Sequence, residues 1–377
     1  MRKIMTVFGT RPEAIKMAPL VKALENDSVL EPMIVVTAQH REMLDSVLQT
    51  FDIKPHYDLD VMKEGQTLSE ITSRAMNQLE LIIKDEQPDM VLVHGDTTTT
   101  FSGALAAFYN QVSVGHVEAG LRTRDKYAPF PEEINRQMVS NIADLHFAPT
   151  ARAAMNLINE QKRQDSIIVT GNTAIDTLNL TIKDDYTSEV LDEHKDKRIV
   201  LLTVHRRENI GQPMINVFRA IRKLVDDYED IVVVYPIHLN PKVRELSKEF
   251  LGEHPRIKLI EPLDVVDFHN FASKAYLILT DSGGVQEEAP SLNKPVLVLR
   301  DVTERPEGVE AGTLKVIGTN LDNVYSETKK LLDDSTTYQT MAMTQNPYGD
   351  GEASIRICDS IKYYLGLSNK QLKEFKG

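Results

Sequence analysis

Short, almost wholly apolar runs punctuate the chain, each followed by a longer stretch in which apolar residues recur every three or four positions. The first series is Ile4 to Phe8, Met33 to Val36, Met90 to Val93, Val112 to Val114 and Ile167 to Val169. A run without polar alternation predicts a strand buried on both faces, as in a parallel sheet covered by helices. A second series follows at Ile199 to Leu202, Ile231 to Val234, Ile257 to Ile260, Leu277 to Leu279 and Val296 to Leu299. The strand and helix alternation therefore occurs twice, which predicts an α/β protein with two doubly wound parallel sheets.

Between the two series stands Thr170-Gly171-Asn172, followed by a charge-rich segment from Lys183 to Lys197 that no core could bury. The junction is placed near Asn172, giving a first domain over residues 1–171 and a second over 172–360, with the charged stretch as a solvated helix and loop. A turn signal, Asn346-Pro347-Tyr348-Gly349-Asp350-Gly351, precedes a last helix beginning around Ser354. The pattern alone leaves open which domain that helix joins. A length of 377 residues suits two domains better than one core.

Charge and composition narrow the function. The formal net charge of -13 is spread along the chain and argues against nucleic acid as a partner. The single cysteine, Cys358, excludes an internal disulfide and any Cys-x-x-Cys site, so a reducing, cytoplasmic location is expected. Arg11, Glu13 and Lys16 interrupt the apolar start of the chain, which therefore lacks a signal-peptide core. No run approaches the roughly 20 apolar residues of a membrane span. No His-Glu-x-x-His or comparable ligand spacing occurs, so a metal could be held only through scattered aspartates and histidines, and no metal or other cofactor is expected.

In open parallel sheets ligands bind beyond the carboxyl ends of the strands, so the residues just after each apolar run carry the chemistry. The first run leads into Gly9-Thr10-Arg11-Pro12-Glu13, where a helix N-terminus, Arg11 and Lys16 one turn on could seat an anion. A glycine turn with solvated charges is the alternative. His94-Gly95-Asp96 and four threonines follow the third run, with Asp96 either entering the site or capping the next helix. Gly115-His116-Val117-Glu118-Ala119-Gly120 brings a second carboxylate to the same sheet edge, and Pro131-Glu132-Glu133 a third. Glu132 has the competing reading of a helix N-terminal acid.

In the second series, His205-Arg206-Arg207-Glu208 starts abruptly after a buried strand and suits anion or acid/base work, with a solvated charge run as the alternative. His238 also lies at a strand mouth, where a structural role is the alternative. The segment Thr280-Asp281-Ser282-Gly283-Gly284-Val285-Gln286-Glu287-Glu288-Ala289-Pro290 runs from strand into helix through two glycines. Free backbone N-H groups and the Ser282 hydroxyl there suit a phosphate, and Glu288 suits ribose hydroxyls. The expected ligand is a nucleotide-diphosphate sugar, its diphosphate cradled by Asp281 to Gly284.

Taken together, Phe8-Gly9-Thr10-Arg11-Pro12-Glu13, His94-Gly95-Asp96-Thr97, Gly115 to Gly120, Pro131-Glu132-Glu133, His205 to Glu208 and Asp281 to Pro290 resemble the bacterial UDP-N-acetylglucosamine 2-epimerases of the non-hydrolysing kind. The resemblance covers nearly the whole chain. It implies two Rossmann-like domains facing a cleft, as in GT-B glycosyltransferases, with a C-terminal helix over residues 361–377 crossing back to the first domain. It implies interconversion of UDP-GlcNAc and UDP-ManNAc through elimination of UDP to an enzyme-bound glycal and re-addition, by a homodimer feeding surface polysaccharide or teichoic-acid synthesis.

By the same resemblance Asp96, Glu118 and Glu132 form an acid/base cluster, with His205 as a further catalytic group. Clustered carboxylates raise one another's pKa, which lets one stay protonated near neutral pH. Arg11, His205, Ser282 and Gly283 grip the diphosphate and Glu288 the ribose; Lys16, Phe268, Gly284 and Arg305 complete the substrate-binding set. Many relatives also bind a second UDP-GlcNAc as activator, and the matching positions are Gln39, Glu42, Glu132, Arg206 and His238. Gly65 stands where some relatives have arginine. A GT-B glycosyltransferase, a hydrolysing epimerase and a non-catalytic nucleotide-sugar sensor are the competing readings, and the three carboxylates disfavour the first and last.

Overall fold

The apolar runs are strands, and they pair in parallel throughout. In the first sheet these are β1 (Arg2–Phe8), β2 (Leu30–Val36), β3 (Tyr57–Asp58), β4 (Met90–His94), β5 (Ser113–Val117), β6 (Leu145–Ala148) and β7 (Ile167–Val169). Their order is β3-β2-β1-β4-β5-β6-β7. The second sheet comprises β8 (Arg198–Thr203), β9 (Ile231–Pro236), β10 (Ile257–Ile260), β11 (Leu277–Thr280), β12 (Val296–Val298) and β13 (Leu314–Val316), in the order β10-β9-β8-β11-β12-β13. The strand order reverses between β1 and β4 and between β8 and β11. At such a switch point neighbouring loops diverge and leave room for a ligand.

The computed structural model describes residues 1–38, 41–63, 65–370 and 372–377, with Glu42 described by its backbone alone. The chain divides into one unit of residues 1–180 with 349–377 and another of 181–348. Each has its own apolar interior: Met5, Val7, Val35, Val91 and Val93 meet Ile71, Leu79 and Ala104 in the first. In the second, Val200, Leu202, Val233 and Leu279 pack on Val217, Phe218 and Ile221. Among the described residues no helix is long and apolar enough to cross a membrane.

Several expectations are corrected. β5 continues through Gly115 and His116 to Val117; a Cβ at Gly115 would stand 2.6 Å from the Leu92 side chain, so the glycine is a packing requirement. The unit boundary falls after Leu180 rather than after Gly171. Thr170-Gly171-Asn172 is a turn inside the first unit, and the helix Thr173–Thr181 that follows is tied there by Thr177 Oγ1 donating to Ile15 O at 2.8 Å. The return falls at Gly349, before the expected 361. The last helix, Ala353–Tyr364, packs against the helix Arg11–Glu25.

That last helix has no side-chain cap from its own Glu352. Buried Asp176 supplies one instead, accepting from Ala353 N at 3.2 Å and Ser354 N at 2.7 Å. Residues 361–377 are therefore not one helix. Beyond Leu365 the described residues are not helical, and Phe375 N donates to Val169 O at 2.8 Å, covering the open edge of β7.

Candidate active site

Thr10 and Glu13 form a capping box at the start of the helix Arg11–Glu25. Glu13 is not a solvated charge: it is buried, and its carboxylate accepts from Gly9 N at 2.9 Å, Thr10 N at 2.7 Å and Thr97 Oγ1 at 2.7 Å. It thereby ties the loop after β1 to the loop after β4 across the switch point. Arg11 is half-buried at the first helical position, with no hydrogen bond or ion pair to another described residue. Lys16, a turn later, reaches across to an ion pair with Glu118.

Glu118 follows β5 with φ of 62°, a left-handed conformation that costs a non-glycine residue about 1 kcal/mol or more. Its carboxylate also accepts from Asn172 Nδ2 at 3.1 Å and lies 3.9 Å from His94 Nε2. Burial pushes the His94 imidazole down to about 4, so that ring is neutral at physiological pH.

Asp96 does not cap the following helix. Thr97 does, its side chain accepting from Thr100 N at 3.2 Å, and the Asp96 carboxylate is left to pair with Arg136 at 2.7 Å. Arg136 is steadied by Glu133 at 3.6 Å, and Asn135 Nδ2 donates to Asp96 O at 2.9 Å. Burial raises the Asp96 carboxyl above its ordinary range, Arg136 and Lys16 oppose this, and Glu118 and Glu132 add to it. Glu132 opens the helix Glu132–Ile142 and remains partly exposed. Asp96, Glu118, Glu132 and Lys16 thus form one electrostatically linked cluster in the first unit.

In the second unit the loop after β8 is organised from within. Asp281 is fully buried, and one carboxylate oxygen accepts from His205 N at 2.9 Å, Arg206 N at 2.8 Å and Asn209 Nδ2 at 2.9 Å. Its expected place in a phosphate cradle is therefore corrected: the side chain points into the protein and braces the neighbouring loop. Ser282 begins the helix Gly283–Glu288 without a side-chain cap bond, so its hydroxyl is uncommitted there.

A Cβ added to Gly283 would lie 3.3 Å from Arg305 Nη2 and 3.7 Å from Arg206 Nη2. Two guanidinium groups therefore converge on a backbone left bare by glycine, an arrangement suited to a phosphate. Arg305 is anchored by Glu287, and Thr303 Oγ1 donates to Gln286 to fix the same loop.

Glu288 Oε2 stands 3.4 Å from His269 Nε2, and the other nitrogen of that ring is 2.8 Å from Thr181 Oγ1. Phe268 is partly buried against the second unit's apolar core, beside His269. His205 stacks on His238, ring centroids 5.1 Å apart and planes 6° from parallel. Arg206 and His238 thus lie beside the substrate-binding candidates of this unit. Gln39 and the Glu42 side chain lie outside the described residues, and Gly65 has φ of 73° with open space about it. Arg136, Asn172 and Asn209 were not singled out from the sequence. Arg136 had a signal, standing one helical turn after Glu132 at the mouth of an acid-rich helix.

Among the described residues no group of histidine, cysteine, aspartate and glutamate side chains could hold a metal ion. Two doubly wound parallel sheets are the architecture of the GT-B-like epimerases. The chain belongs to the UDP-N-acetylglucosamine 2-epimerase family, whose model matches residues 22–362.

It is 61% identical over 375 residues to the UDP-N-acetylglucosamine 2-epimerase of Bacillus subtilis (strain 168), covering 100% of this chain and 99% of that one. A structure of S. aureus MnaA with UDP is similar at 64% identity and TM-score 0.90, with 100% of both chains covered. A UDP-GlcNAc 2-epimerase from Neisseria meningitidis bound to UDP-GlcNAc is 46% identical with TM-score 0.84, over 96% of this chain and 100% of that one.

Proposed function

We propose that this chain interconverts UDP-GlcNAc and UDP-ManNAc at the second sugar carbon, by eliminating UDP to an enzyme-bound glycal and adding it back. The observation that carries the reading is the unequal treatment of two carboxylates. Glu118 is paired with Lys16 and accepts from Asn172, whereas burial pushes Asp96 toward the protonated form. Inverting a carbon requires that a proton leave one face and return to the other, so a pair of acids held in unlike surroundings suits the task.

The hydrogen at that carbon is only weakly acidic, so departure of the diphosphate must run ahead of proton removal. Stabilising the departing charge falls to His205, Arg206, Arg305, Ser282 and the bare backbone of Gly283. Phe268 and Glu288 hold the nucleoside end, and Arg11 adds positive charge on the first unit. UDP retained by these groups can be returned, which distinguishes the reaction from hydrolysis. The S. aureus protein solved with UDP and the Neisseria enzyme solved with UDP-GlcNAc support this ligand class. On this reading the enzyme is a cytoplasmic homodimer supplying surface polysaccharide or teichoic-acid synthesis, and a second UDP-GlcNAc activates it.

Incubation with UDP-GlcNAc in deuterium oxide tests the proposal: deuterium is expected on the second carbon together with intact UDP-ManNAc. Free ManNAc as the main product would move the enzyme to the hydrolysing branch, and no exchange would indicate a transferase or a sensor. Asp96→Asn is expected to abolish exchange while UDP affinity stays within about tenfold, or ~1.4 kcal/mol.

A further inference from the structure

Asp281 is enclosed completely, yet its two carboxylate oxygens are used unequally. Oδ2 takes three donors, the backbone N-H groups of His205 and Arg206 and the side-chain amide of Asn209. Oδ1 is buried and has no hydrogen-bond partner among the described residues. A buried acceptor left unsatisfied costs about 1–3 kcal/mol, so such an atom calls for a reason. The polar atom facing it is His205 Nδ1, 3.5 Å away.

The His205 ring is held in that attitude. It lies flat on His238, whose own Nδ1 accepts from Asn240 N at 3.1 Å. The His205 side chain is 35% exposed while Asp281 is not exposed at all, so the edge of the ring opposite the carboxylate is the one open to a ligand.

We propose that Asp281 is a positioning residue acting through His205: its Oδ1 fixes the ring with Nδ1-H toward the protein, so that Nε2 faces the ligand as the nitrogen that takes up a proton, the carboxylate supporting the charged ring, before donating to the diphosphate. This rests on the proposed reaction for its catalytic consequence, though not for the orientation itself. The charged and titratable groups around the ring are Asp281, His238, Arg206 and Glu208; burial, the largest influence, lowers its pKa and keeps the resting ring neutral. A neutral ring has one proton, and a carboxylate beside Nδ1 decides which nitrogen carries it.

Asp281→Asn separates this role from simple bracing. Its carbonyl oxygen can keep the three donors at the Oδ2 position, placing the amide NH2 opposite Nδ1, where a donor forces the opposite tautomer. With 15N-labelled histidine, the His205 signals, assigned by their loss in His205→Gln, are expected to show a protonated Nδ1 in the natural chain and a protonated Nε2 in the variant. In turnover, kcat is expected to fall by about 100-fold or more, as when an orienting carboxylate is lost from a catalytic histidine, with KM within about threefold.

In the His205→Gln background the same substitution should cost less than about threefold further, because the group it acts through is gone. A protonated Nε2 in the natural chain overturns the proposal, as does an equal loss in both backgrounds. If the variant does not fold, the tautomer in the natural chain decides alone. If the natural chain does not turn over UDP-GlcNAc, the proposed reaction fails while the tautomer measurement still tests Asp281.

Discussion

Replacing Arg136 by methionine would leave Asp96 buried beside two other acids without its nearest cation. The pair is 2.7 Å apart, and the side chains are 10% and 28% exposed. Breaking one partner of a buried pair costs roughly 3–5 kcal/mol, and the residual exposure of Asp96 places this case near the lower end, at about 3 kcal/mol. In titration terms the carboxyl that burial has already raised would rise further.

The sign follows from linkage. A carboxyl raised in the folded chain binds its proton more tightly than in the unfolded chain, so the folded state loses stability as pH rises through the folded-state value. The substitution would add little penalty in acid, where Asp96 is protonated in both proteins, and its full penalty above neutrality. Glu133 keeps its hydrogen bonds from Thr123 N, Arg124 N and Gln137 Nε2, so any contribution from that side is small and constant. At about 2–4 °C per kcal/mol for a unit of this size, the melting temperature of Arg136→Met should fall below that of the natural chain by roughly 6–12 °C near pH 8. The gap should close substantially near pH 4. Melting followed by circular dichroism at several pH values measures it, and a gap that does not change with pH would show that Arg136 does not oppose the rise that burial imposes on Asp96.

Gly283→Ala should leave folding nearly untouched, since the position starts a helix with an ordinary backbone conformation. The methyl group would stand between the Arg305 and Arg206 guanidinium groups, and UDP affinity by calorimetry should drop by about tenfold, or ~1.4 kcal/mol; unchanged affinity would remove the phosphate from that place. Asp176→Ala should strip the acceptor from two buried N-H groups of the last helix, at about 1–3 kcal/mol each. Urea unfolding should show the loss, and Asp176→Asn, which keeps one acceptor oxygen, should recover part of it.

The central strands were readable because burial on both faces writes itself as an uninterrupted apolar run. The strands that escaped were short or carried a polar residue: β3 has two residues, β6 contains His146 and β13 contains Lys315. That Asp96 and Glu118 stand at adjacent strand ends followed from spacing, but the left-handed backbone of Glu118 did not, because that conformation is imposed by surroundings rather than by residue type. Asp281 was misplaced for a related reason. A polar residue at a strand mouth has the same sequence signature whether its side chain turns outward to a ligand or inward to a neighbouring loop. Thr170-Gly171-Asn172 looked like a linker because its turn chemistry is local, whereas the bonds that Asp176 accepts from Ala353 and Ser354, which tie the returning segment to the first unit, join residues far apart in the chain.

That long-range bond also orders events during synthesis. The second unit is one continuous stretch, residues 181–348, and every strand it needs is available before translation ends. The first unit is made first but is completed last. Until residues 349–377 emerge, the helix Arg11–Glu25 lacks its covering helix, Asp176 lacks the amides it accepts from, and the edge of β7 is open to other chains. The nascent protein therefore carries an unfinished sheet edge until residues 349–377 emerge, an edge on which another chain could add a strand.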